Sequence, residues 1–145
     1  MTHDLSALLG FVVDTDVFSY LFKGNPHAEK FRPILENNAP HAVVSFMTIA
    51  ELDRWTLERD WGERRRRELE DYLSERFLIH DEMSRDLCRK WAEITDQCKR
   101  NGRKITCADA WIAATAVSLG LPLLTNNTKH FVSVDDLRLI TPGEE

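Results

Sequence analysis

Three carboxylates stand far apart in this chain, each where an apolar segment gives way to a polar turn or a helix start: Asp14 in FVVDTDVFSYL, Glu51 in AVVSFMTIAEL and Asp109 in ITCADAWIAATA. Strand ends and helix starts are where an α/β fold builds its ligand sites. Carboxylates brought together there repel one another unless a cation offsets them. An all-oxygen donor set suits Mg²⁺ or Mn²⁺. The combination points to metal-assisted hydrolysis of a phosphate ester: a bound ion lowers the pKa of the attacking water, and no serine or histidine nucleophile is required.

Glu51 and Asp109 also have a plainer reading, as does Asp16 beside Asp14. Glu51 follows Thr48 by three residues and Asp109 follows Thr106 by three, the spacing of a capping box at a helix start. Asp16 either faces the same cleft as Asp14 or caps a helix beginning near Val17. In LLTNNTKHF, Thr125, Asn126 and Asn127 either orient a water or a phosphate oxygen, or close their own turn. His130 is a donor to phosphate or an ordinary surface histidine.

The cations form two groups. Arg64, Arg65, Arg66 and Arg67 must fan around a helix, because successive residues turn by about 100°. With Glu58, Glu63, Glu68 and Glu70 nearby, they read as a solvated, ion-paired face. Lys99, Arg100, Arg103 and Lys104 are less diluted by acids and lead straight into the Asp109 helix, so they are the expected phosphate-backbone contacts. Helical spacing assigns Trp55 and Trp91 to core or interface. Trp61, at a helix break, is the tryptophan open to stacking.

Apolar runs at 11–14, 42–46, 76–80, LPLLT and LRLIT read as strands. Between them, Val17, Phe18, Leu21 and Phe22 fall at helical spacing up to a C-cap at Gly24. Asn25-Pro26 then opens a second helix, disturbed by Pro33. Thr48 is expected to cap a helix burying Ile49, Leu52 and Trp55, and Gly62 precedes one burying Leu69, Tyr72 and Leu73. Met83, Leu87, Trp91, Ile94 and Cys98 form the clearest helical stripe. The helix capped by Thr106 carries Trp111, Ile112, Thr115, Ala116 and Leu119 inward and ends at Gly120. Strands alternating with helices imply a mostly parallel sheet covered on both faces.

With 145 residues, residues 1–145 are expected to form a single domain. Cys88, Cys98 and Cys107 contain no CxxC pair, which argues against a disulfide framework and for a reducing, cytoplasmic setting. No apolar run approaches the roughly 20 residues of a membrane span, and MTHDLSALLG does not read as a signal peptide. The net charge of −5 neither announces nor excludes a nucleic-acid ligand, because local patches decide.

The segments VVDTDVFSYLFKG, SFMTIAELDRW, CADAWIAATAVSLGLPLLTNNTKHF and LRLIT, in this order and spacing, resemble PIN-domain ribonucleases, specifically the VapC-type toxins of prokaryotic toxin–antitoxin pairs. The likeness spans nearly the whole chain. It implies an α/β/α sandwich around a central parallel sheet and an endoribonuclease that hydrolyses RNA phosphodiesters with Mg²⁺ or Mn²⁺. Asp14, Glu51 and Asp109 match the family's first three acids. Thr15 matches the small polar position beside the first, and Thr125 the hydroxyl residue that closes the last motif. Many relatives carry a further acid where this chain has Asn127 or His130, which puts tight binding of a second ion in doubt. The resemblance also implies a homodimer and an antitoxin partner, with Trp55, Trp61 and the Leu69–Tyr72–Leu73 face as candidate contact surfaces. Two other readings remain open on the residues alone. One is a non-catalytic RNA- or partner-binding domain of the same fold. The other is a haloacid-dehalogenase-type phosphatase, built on Asp14 and Asp16 with Asp135 and Asp136 as late ligands.

Overall fold

The computed structural model of the chain describes residues 10–37 and 41–140. Among these residues five parallel strands lie in the order β3-β2-β1-β4-β5: β1 (Phe11–Val13), β2 (Ala42–Ser45), β3 (Leu78–His80), β4 (Leu123–Leu124) and β5 (Leu139–Ile140). Parallel neighbours need crossovers, and among the described residues six α-helices stand between the strands: α1 (Thr15–Lys23), α2 (Arg32–Asn37), α3 (Phe46–Glu58), α4 (Glu63–Arg76), α5 (Arg85–Arg100) and α6 (Cys107–Leu119). The ends of the expected domain, residues 1–9 and 141–145, lie outside the described residues.

The pleat of the central strands sends alternate side chains to opposite faces. Val12, Val43 and Leu123 pack under α5 and α6, against Leu87, Ile94, Ile112 and Ala116. Phe11, Val13, Val44 and Leu124 pack on the other face, against Val17, Phe18, Leu52, Leu69 and Leu73 from α1, α3 and α4. The result is the three-layer α/β/α sandwich expected from the sequence. Gly10 enters β1 with φ of +115°, and a Cβ there would collide with the His41 carbonyl; the position therefore demands glycine.

Several boundaries differ from the sequence expectation, each for a local reason. α3 starts at Phe46, because Ser45 caps it by accepting from the Met47 N–H at 3.1 Å. Thr48 therefore sits inside the first turn and is not the cap. β3 begins at Leu78, since Arg76 ends α4 and buried Phe77 is its C-cap. Met83 precedes the Ser84 cap of α5 and is 75% exposed, outside the apolar stripe it was expected to open. After Asn25-Pro26 the chain makes a 3₁₀ helix (Pro26–Lys30) before the short α2. Leu69 and Leu73 are consumed by the core, which removes them from any contact surface.

Candidate active site

Asp14 follows the last residue of β1 and Thr125 follows the last residue of β4. These strands are neighbours with Val13 opposite Leu124, so sheet register alone brings the two side chains together. Thr125 Oγ1 donates to Asp14 Oδ2 at 2.7 Å. Asp14 is also the N-cap of α1, its Oδ1 accepting from the Thr15 N–H at 2.8 Å. The sequence reading offered Asp16 as that cap. Asp16 instead accepts from the Val17 N–H at 2.7 Å and from Asn127 Nδ2 at 2.8 Å.

Thr15 Oγ1 has one proton to give, and it goes to Glu51 Oε1 at 2.7 Å. The Thr48 hydroxyl, 2.8 Å from the same oxygen, must then donate to it. The chain Thr48–Thr15–Glu51 holds the second acid from α3 against the start of α1. Residue 48 thus serves the site through its side chain, a role that a capping-box reading conceals. Asp109 sits in the first turn of α6, where its N–H donates to Thr106 Oγ1 at 3.1 Å; this is the Thr106 cap foreseen from sequence. Its Oδ2 lies 3.3 Å from His130 Nδ1.

The three distant segments meet in one cleft of about 180 Å³, lined by Asp14, Thr15, Asp16, Glu51, Trp55, Asp109, Asn127 and His130. Burial pushes the Asp14 carboxyl up to about 8, and the negative charges of Asp16 and Asp109 push the same way; hydrogen bonds from Thr125 and Thr15 oppose them only in part. Asp16 is raised as well, chiefly by burial. These shifts mark a place where negative charge is held poorly without a cation. Trp55 is a wall of the cleft that the sequence reading had assigned to core or interface.

Among the described residues, no three of the histidines, cysteines, aspartates and glutamates stand close enough to form a ready-made metal cage. The donor set is nonetheless the right kind for a hard divalent ion. Four carboxylates, from Asp14, Asp16, Glu51 and Asp109, border the one cleft, and they need contribute only one or two ligands when water fills the remaining positions.

The other candidates are dispersed. Lys99, Arg103 and Lys104 line a separate groove of about 440 Å³ with Thr95, Cys98, Gly102 and Ile105, sharing no residue with the cleft. Arg100 pairs with Asp96 at 2.9 Å. Asn126 is half-buried, and its N–H faces Asp16. Asp135 and Asp136 are exposed and line no part of the cleft, so the phosphatase reading has no late ligands. Among the described residues no helix is long and apolar enough to cross a membrane.

Comparison with known proteins agrees with this fold. The family model described as PIN domain matches residues 11–137. The chain is 32% identical over 130 residues to Ribonuclease VapC1 of Haemophilus influenzae, covering 88% of this chain and 94% of that protein. It is 28% identical over 131 residues to the tRNA(fMet)-specific endonuclease VapC of Shigella flexneri, covering 90% and 96%. Among solved structures, VapBC-1 from nontypeable Haemophilus influenzae aligns with a TM-score of 0.76 at 27% identity, over 90% of this chain and 96% of that one. VapBC2 from Rickettsia felis, bound to a promoter DNA fragment, aligns with a TM-score of 0.80 over 91% and 98%; at 24% identity this likeness speaks for the fold.

Proposed function

Because the chain belongs to the PIN-domain family and, within it, to the VapC-type toxins, we propose that it is a metal-dependent endoribonuclease whose active site is the carboxylate cleft. The observation that carries this reading is the meeting of Asp14, Glu51 and Asp109, from three distant segments, in one cleft around a carboxyl raised to about 8.

In this reading Asp14, Asp109 and Glu51 hold Mg²⁺ or Mn²⁺, with Asp16 as a further ligand. The ion supplies charge neutralisation and makes water a competent nucleophile near neutral pH. Thr125 fixes the Asp14 rotamer, and Thr15, itself gripped by Thr48, fixes Glu51. Asn127 holds Asp16 in place, Asn126 supports that loop, and His130 donates toward the substrate phosphate. Attack by water on phosphorus expels the 3′ oxygen of the preceding ribose, leaving a 5′-phosphate and a 3′-hydroxyl. Lys99, Arg100, Arg103 and Lys104 serve as remote RNA contacts, outside the cleft. Residues 1–145 act as one nuclease domain, as a homodimer controlled by an antitoxin. Solved relatives described as VapBC and toxin–antitoxin complexes support such a partner.

The test is cleavage of a mixed structured-RNA pool by partner-free protein, titrated with Mn²⁺ and Mg²⁺, beside Asp14→Asn and Asp109→Asn. Cutting that needs metal, is lost in both variants and leaves 5′-phosphates is the expected result. Cutting that persists in EDTA, or ends carrying a 2′,3′-cyclic phosphate, would overturn the mechanism.

One observation favours a second reading, a non-catalytic RNA- or partner-binding domain: among the described residues no three metal-type ligands stand close enough to hold one ion as placed. Folded protein that binds RNA but never cuts it at saturating Mn²⁺ would select that reading.

A further inference from the structure

The basic residues of α3, its C-cap Arg59 and α4 include ion-paired members and ring-stacked ones. Arg54 pairs with Glu58, Arg64 with Glu68 and Arg67 with Glu63, all at i,i+4. Arg59 and Arg65 have no acidic partner among the described residues. Each lies on an aromatic face instead: Arg59 Cζ is 5.1 Å from the Trp55 ring centre, and Arg65 Cζ is 4.4 Å from that of Trp61 and 5.5 Å from that of Phe22. Lys23, the last residue of α1, joins them with Nζ 5.6 Å from the Trp55 ring centre. Burial and then the charges of Arg59 and Arg65 lower the Lys23 pKa, so the three cations repel one another across the helices that carry them.

In a chain with net charge −5, three unneutralised cations gathered on one aromatic platform ask for an anion. Rings hold the charges in place while leaving their outer sides free. Position identifies the ligand: Trp55, beneath Lys23 and Arg59, is also a wall of the carboxylate cleft. A strand with one phosphate in that cleft must run out past its walls, and its neighbouring phosphates repeat the same charge. Guanidinium planes also offer stacking faces to unpaired bases.

We propose that Lys23, Arg59 and Arg65, carried on Trp55, Trp61 and Phe22, anchor the phosphodiester backbone of a single-stranded RNA segment beside the scissile phosphate. The proposal rests on the nuclease reading for the identity of its ligand. It makes the three cations positioning residues, with no part in bond breaking.

The test uses the full chain in EDTA, with anisotropy of a labelled single-stranded RNA of about 12 nucleotides measured across a salt series. Each phosphate contact on a single strand contributes about 0.7 to the slope of log K against log salt. The triple variant Lys23→Gln, Arg59→Gln, Arg65→Gln should lose about 2 from that slope and bind at least about tenfold more weakly at low salt. The ion-paired control Arg64→Gln, Arg67→Gln should keep the slope, and Arg59→Lys with Arg65→Lys should keep most of it. Mn²⁺-dependent hydrolysis of bis(p-nitrophenyl) phosphate, too small to reach the platform, should be unchanged in the triple variant. An unchanged slope in folded triple variant overturns the proposal. Loss of binding to an acidic peptide with RNA binding intact also overturns it, and makes the platform a protein-docking surface. A wild-type protein that cuts neither RNA nor the small ester, while the triple variant still loses the slope, would sustain the anchor and defeat the nuclease reading.

Discussion

On one wall of the cleft Asp14 is 5% exposed and bonded through both carboxylate oxygens, to Thr125 and to the Thr15 N–H. On the other, the Asp109 side chain is 19% exposed and is paired with His130, whose side chain is 54% exposed. The first wall is set by the register of two adjacent strands and the second by one turn of a helix and a loop. Charge therefore costs most where geometry is most rigid. The buried wall fixes where a cation must go, and the exposed wall can adjust to whatever the cation brings with it.

The largest effect should come from Asp14→Asn, which keeps the shape and removes the charge at the rigid wall. RNA cleavage should fall by about 10³-fold or more, measured as initial rate at saturating Mn²⁺. Asp109→Asn should cost less, about 10²-fold, with part of the loss recovered at higher metal. Equal, unrecoverable losses in both variants would break the comparison and make the two walls one unit.

Thr125→Val separates the carboxylate from its support. The isosteric change removes the donor that favours ionised Asp14, leaving a buried oxygen short of a partner at a cost of about 1–3 kcal/mol. Activity should drop about tenfold at neutral pH, with the metal requirement displaced to higher pH because Asp14 then ionises later. A pH–rate profile identical to wild type would show that Thr125 is only a packing residue.

Stability of metal-free protein should report the same wall. Asp14 is near 3.8 when unfolded and about 8 when folded, so between those values the folded state holds the proton that the unfolded state releases. Stability from this group is full below pH ~4, declines as pH rises toward ~8, and is then lost. Thermal melts in EDTA should show this decline, Asp14→Asn should flatten it, and Mn²⁺ should stabilise the wild type most at the alkaline end. A flat wild-type profile would mean that Asp14 ionises as freely as an exposed acid.

Both walls are legible in the sequence, each through a different signal. Asp14 announces itself because FVV can only be a buried strand and a polar residue must end it. Asp109 is just as visible at its helix start, because Thr106 marks that start. The fold followed from the same alternation of apolar strands and amphipathic helices. Residue 48 was misjudged because two hydroxyl residues, Ser45 and Thr48, compete for one cap, and only the pairing of Ser45 with His80 decides where the strand stops. Arg65 could not be distinguished from Arg64, Arg66 and Arg67, since an i,i+4 acid is visible in sequence and a tryptophan ring approached across a helix break is not. Lys99, Arg103 and Lys104 were assigned by closeness along the chain to Asp109, but their groove opens elsewhere.

His130→Ala should have the smallest effect, and it bears on whether the exposed wall has a chemical duty of its own. The imidazole lies in the loop after β4 and reaches Asp109 Oδ2 at 3.3 Å, with more than half of its side chain in water. An exposed pair of this kind contributes about 0–1 kcal/mol, so removing it should leave folding unchanged. If His130 only steadies Asp109, an ion bound to that carboxylate takes over the task, and cleavage at saturating Mn²⁺ should stay within about threefold of wild type while the half-saturating metal concentration rises. If it donates to the substrate phosphate, the deficit should persist at any metal concentration and His130→Asn should recover part of it, because an amide can still donate. The split between a metal-affinity effect and a rate effect therefore decides which of its two neighbours, acid or substrate, the histidine serves.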